Sequence, residues 1–157
     1  MGFHFDDMVK TAQIYCNLIE SVEQADSSWL GKMETLLPKL HAAVSALGVS
    51  RKGGEDHSLA PDLDARFELF VELRRLLGQR DGYWMEFDVA NDGQSMTGSL
   101  ADDLTDIYCE LKHGLKLLEN EPDRALDDWR SGYKMHWGQH LVDAERHLYK
   151  LRSRDQI

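Results

Sequence analysis

SLADDLTDIYCELKHGLKLLENEPDRALDDWRSGYKMHWGQHLVDAERHLYKL, residues 99–151, decides the fold. Ser99 followed by Asp102 has the S-x-x-D form of a capping box. Leu100, Leu104, Ile107, Tyr108, Leu111, Leu115 and Leu118 then recur at helical spacing and mark one apolar face. Asn120 and Glu121 break that helix. Pro122 has the fixed φ that suits a first helical position, and Leu126, Trp129, Tyr133, Trp137, Ala144, Leu148 and Leu151 give a second helix one apolar face. Two helices joined by so short a break form an antiparallel hairpin, in which residues equidistant from the break lie level.

Upstream, Phe5, Met8, Val9, Ala12, Tyr15, Cys16, Ile19 and Val22 share one face of a first helix. Asp26, Ser27 and Ser28 offer cap chemistry for a second, which runs through Trp29, Met33, Leu36, Leu37, Leu40, Val44 and Leu47 to a stop at Gly48. Pro38 inside it removes a hydrogen bond to the Glu34 carbonyl, so a kink is expected near residues 34–37. Residues 50–61 are polar with paired glycines and read as a flexible connection. A third helix spans about 62–77, with Gly78 as its stop. Residues 81–98 then exceed the usual loop length, and YWMEFDV within them has the composition of a short extended piece. The fold class is therefore all-α: one domain over residues 1–157, a bundle of about five amphipathic helices whose apolar stripes cover one another, the fourth and fifth forming the hairpin.

Composition narrows the function classes. With 28 acidic and 18 basic side chains the net charge is −10, so phosphate attraction would act against the overall field, and nucleic acid is not an expected partner. Cys16 and Cys109 form no C-x-x-C pair, which fits reduced thiols in a cytoplasm. MGFHFDDMVK lacks the pattern of a signal peptide, and no run approaches the roughly 20 apolar residues of a membrane span. A cytoplasmic chain without a membrane anchor is the expectation.

The polar residues of the hairpin are the candidates for chemistry. His136, His140, Asp143 and His147 stand at offsets of 0, 4, 7 and 11, and the three histidines share a sector with Trp129 and Tyr133 at the edge of the apolar face. Two imidazoles at i and i+4 reach a common point, as in H-E-x-x-H zinc sites, but Trp137 stands where that motif needs glutamate. On the preceding helix Asp103, Asp106 and Glu110 step along one flank, with Asp102 beside them. Level counting sets Asp106 against His136 and Asp102 and Asp103 against His140. The two flanks meet for one hand of the hairpin and diverge for the other. A divalent metal held by His136, His140 and Asp106, with Glu110 as base or supporting group, is one reading. A structural hydrogen-bond network explains the same residues without an ion, since capping and the helix dipole account for Asp102 and Asp103, and the sequence favours it.

Tyr83, Trp84 and Phe87 in the long loop either cap one end of the bundle or form a binding surface; a third arrangement is a small-molecule cleft lined by Trp84, Trp129 and Trp137. No phosphate loop, nucleophile elbow or dinucleotide fingerprint is present.

SLADDLTDIYCELKHGL, DDWRSGYKMHWGQHLVDAERHL and YWMEFD resemble a bacterial family of helical proteins known as domain of unknown function 5063. The resemblance is most specific over residues 83–148. It rests on Ser99 to Asp103, Asp106, Ile107 and Tyr108, then on Trp129, Arg130, His136, Trp137, Gly138 and His140. It implies an all-helical fold and supplies no reaction. It adds Arg130, Trp129 and Trp137 to Asp102, Asp103 and Glu110 as a candidate functional network. Taken together, the sequence favours a domain acting by protein–protein binding, as an adaptor or an acidic inhibitor of a basic protein, with homo-oligomers compatible with it. The alternative is a divalent-metal-binding bundle, with metal-dependent hydrolysis if it is an enzyme.

Overall fold

The computed structural model describes residues 2–48, 62–86 and 95–157. Helix α1 spans Phe3–Glu20, α2 Trp29–Ala46, α3 Leu63–Leu77 and α4 Leu100–Leu118. Helix α5, Pro122–Gly132, runs through a π-helical turn, Tyr133–Trp137, into α6, Gly138–Ser153, so the last expected helix is one rod with a wide turn in it. Among the described residues the fold is all-helical apart from one antiparallel strand pair, as the apolar periodicity requires.

Local chemistry sets the ends. Asp62 accepts from the backbone of Asp64 and Ala65 at 3.1 and 3.2 Å and starts α3, while Gly78 ends it at a φ of +56° that a side chain would resist. Ser99 accepts from Asp102 N, and the buried Asp81 carboxylate takes Ala101 N at 2.7 Å and Ser99 Oγ at 2.8 Å, so two side chains satisfy the first turn of α4. Pro122 occupies the first turn of α5. Pro38 lies inside α2, which continues through it from Trp29 to Ala46.

Part of the expected loop at 81–98 is a β-hairpin. Gly82–Glu86 (β1) pairs with Ser95–Ser99 (β2) in the register Tyr83↔Gly98 and Trp84↔Thr97. Aromatic residues favour pleated surface, and Gly98 lets the Tyr83 ring lie where a Cβ would overlap it. Phe87 and the proposed connection at 50–61 lie outside the described residues.

Helix α4 is the centre of the packing, touching α1, α3, α5 and α6, and α1 and α6 also pack on α2. One apolar core joins Met8, Tyr15, Ile19, Met33, Leu37, Leu40, Leu73, Leu104, Ile107, Leu111, Trp129 and Trp137. Between α4 and α5, Gly114 leaves room for the Trp129 indole, which lies where a Cβ would stand. No described helix is long and apolar enough to cross a membrane.

Candidate functional site

The hairpin has the hand that brings its two polar flanks together. His140 on α6 lies between two carboxylates one turn apart on α4: Nδ1 is 2.7 Å from Asp103 Oδ1 and Nε2 is 3.0 Å from Asp106 Oδ2. His136 in the π turn sets its Nδ1 2.9 Å from Oε1 of the buried Glu110, and the two imidazoles meet edge to face with centroids 5.3 Å apart. Arg66 of α3 closes the far side, with Nη2 2.5 Å from Asp106 Oδ1 and 3.0 Å from Asp102 Oδ1. Tyr83 of β1 donates to the second oxygen of Asp103.

Level counting is right for Asp103 with His140 and one turn off for Asp106. Asp106 meets His140, not His136, and His136 meets Glu110. Side-chain lean is the main physical reason: Cα–Cβ bonds tilt toward each helix's own N-terminus, so on the antiparallel pair the histidines lean toward the break and the carboxylates of α4 away from it. The smaller rise of the π turn adds a shift in the same direction. The proposed ligand trio nevertheless converges: one ligand atom each from Asp106, His136 and His140 lie within 4.8 Å of one another, as do those of Asp102, Asp103 and His140.

The electrostatics follow from burial and pairing. Burial alone would lower the His140 imidazole, but hydrogen bonds to Asp103 and Asp106 outweigh it and push it up to about 10, so without a metal it is an imidazolium between two carboxylates. Burial pushes Asp103 up. On Asp106 the hydrogen bonds from His140 and Arg66 overcome burial and hold the carboxyl below its ordinary value. Burial, then Asp103, pushes the Tyr83 phenol well up, so Tyr83 stays a neutral donor.

Several predicted residues lie elsewhere. Trp129 and Trp137 are fully buried in the core and Trp84 is 69% exposed, so the three do not line a common cleft. Arg130 pairs with Asp127 on its own helix at 3.6 Å, and Asp143 accepts from Gln139. His147 donates from Nε2 to the Arg80 carbonyl at 2.6 Å and stacks on Tyr83 at 4.8 Å. Burial pushes the Cys16 thiol up to about 12 and also raises Cys109, which suits inert thiols. Arg66 was not foreseen; no spacing marks it, although an inward flank of carboxylates calls for a cation from a neighbouring helix.

His147 gives a pH prediction. Burial lowers its imidazole, opposed by the Arg80 carbonyl and Asp81 and assisted by Lys150 and Arg154. The unfolded chain therefore binds a proton first as pH falls. The stabilisation is present above the unfolded value of about 6.5 and is lost as pH drops through the lower folded value. The melting temperature is expected to fall less between pH 7.5 and 5 in His147→Gln than in wild type; parallel falls would refute it.

A crystal structure, protein BF1032 from Bacteroides fragilis, superposes with a TM-score of 0.76 over 96% of this chain and 92% of that one, at 20% identity, which speaks for a shared fold alone. No curated protein matches the chain. A family model described as a domain of unknown function matches residues 4–154, and the chain accordingly belongs to the DUF5063 family.

Proposed function

We propose that this protein binds a divalent transition-metal ion through His136, His140 and Asp106. The observation that supports it most is the seating of the two histidines. Each has Nδ1 against a buried carboxylate of α4, Asp103 or Glu110, which fixes an Nδ1–H tautomer and turns Nε2 into a ligand. Asp106 offers Oδ2 while Arg66 anchors its other oxygen. Around this point the carboxylates of Asp102, Asp103, Asp106 and Glu110 face Arg66 and the His140 imidazolium, so a dication in place of the Nε2 proton reduces the surplus of negative charge.

Imidazole with carboxylate suits zinc and its first-row neighbours, and three protein ligands leave a position open for water. His136 is half exposed, which gives that position access to solvent. Metal-assisted hydrolysis is the reaction class such a centre serves. Titration of metal-free protein with Co²⁺ is expected to give one equivalent bound with visible absorption bands, lost in His136→Ala plus His140→Ala and weakened in Asp106→Asn. Absence of binding in wild type would leave a structural network and refute the proposal.

Protein binding is a second reading, favoured by Met135, Val142 and Tyr149. These stand seven residues apart along the last rod, each substantially exposed, on a molecule of net charge −10. A basic protein with an apolar contact patch would fit. A partner released by Met135→Glu plus Tyr149→Glu would support it, and one retained by that variant would count against it.

A further inference from the structure

The π turn that carries His136 also has support from α2. Trp129, Tyr133, Trp137 and Leu141 follow one another at steps of four, which on a regular α-helix drift about 40° per step away from the core. A π turn takes up more residues per turn and absorbs part of that drift, so Trp129, Trp137 and Leu141 all stay buried. Gly138 N–H donates to the Tyr133 carbonyl, the bond that closes the wide turn, and a Cβ on Gly138 would overlap that oxygen.

Tyr133 is tied down in turn. Its hydroxyl lies 3.1 Å from His41 Nε2, and His41 Nδ1 lies 3.0 Å from Glu145 Oε2. The carboxylate places the imidazole proton on Nδ1, so Nε2 accepts from the phenol. The chain Glu145–His41–Tyr133 thus joins α6 and α2 to the first residue of the π turn, while His136, three residues on, reaches the other way to Glu110. The turn is thus held through Tyr133 on one side and through His136 on another.

We infer that His41 is a positioning residue for His136, acting through Tyr133 and the π turn. Without that grip the turn opens or relaxes towards α register, and His136 swings away from Glu110 and Asp106. The affinity consequence rests on the proposed metal centre; the hold on the turn does not.

The test compares wild type, His41→Ala and His41→Gln as full-length, metal-free proteins by amide hydrogen exchange, followed by Co²⁺ titration. In His41→Ala the Gly138 amide is expected to exchange roughly tenfold faster relative to the core amides of Leu104 and Leu111, the loss of about one hydrogen bond. Co²⁺ affinity should fall roughly tenfold or more, with altered visible bands. His41→Gln offers an acceptor to Tyr133 and a donor to Glu145 and should restore both. Unchanged relative exchange at Gly138, or a uniform rise across all core amides, overturns the inference. If wild type takes up no Co²⁺ the metal proposal fails, while the exchange comparison still decides the role of His41.

Discussion

Gly114→Ala is expected to destabilise the protein by about 3 kcal/mol, at the upper end of the cost of overpacking a core. Gly114 sits inside α4, where a glycine is otherwise a mild liability. It is there because the Trp129 indole occupies the space a Cβ would need, and Trp129 is fully buried and cannot move aside without disturbing the core around it. The substitution therefore forces α4 and α5 apart at the base of the hairpin that carries the polar site. Urea unfolding measures the loss. Combining Gly114→Ala with Trp129→Phe should cost clearly less than the sum of the two single changes, because the smaller ring relieves the overlap. Additive costs, or a loss below about 1 kcal/mol in the single variant, would show that the helices do not approach as closely as described.

Asp103→Ala carries the second large effect. Asp103 is 4% exposed and holds His140 with one oxygen and the Tyr83 hydroxyl with the other. Its removal leaves a half-buried imidazolium with one carboxylate fewer and a phenol without its acceptor. Breaking a buried pair from one side costs about 3 kcal/mol, at the low end of the range here because His140 keeps Asp106 as a second partner. Asp103→Asn keeps an acceptor while losing the charge, so it should fall between wild type and Asp103→Ala. If Asp103→Ala unfolds at the wild-type urea concentration, the network contributes nothing to the fold, and the seating of His140 by Asp103 loses its support.

Most of the helical architecture was legible because each helix writes its buried face at three- and four-residue steps, and Ser99, Asp62 and Pro122 mark starts that the structure keeps. That His140 stands level with Asp103 was legible too, since it needs only the short break at Glu121 and the level rule, but whether the two face each other turns on the hand of the hairpin. What escaped was geometry with no local signature. The hand of the hairpin depends on how α4 packs against α1 and α3. Arg66 reaches Asp106 from a helix whose relation to α4 no spacing reveals. The π turn did leave a trace in the run of four-residue steps from Trp129 to Leu141, and level counting that ignores both that turn and the lean of the side chains sets His136 one turn too early on α4. The β-hairpin was hidden because its strands flank a segment too long for a simple turn pattern, although Tyr83, Trp84 and Met85 have strand composition.

Whether His136, His140 and Asp106 hold a metal can be read from the metal content of the purified protein. Untagged protein purified without chelator, beside the His136→Ala plus His140→Ala variant, would be measured by elemental mass spectrometry. Near-stoichiometric divalent metal in wild type that disappears in a folded variant is the predicted result; wild-type protein free of metal that also fails to take up zinc, cobalt or manganese on addition would contradict it.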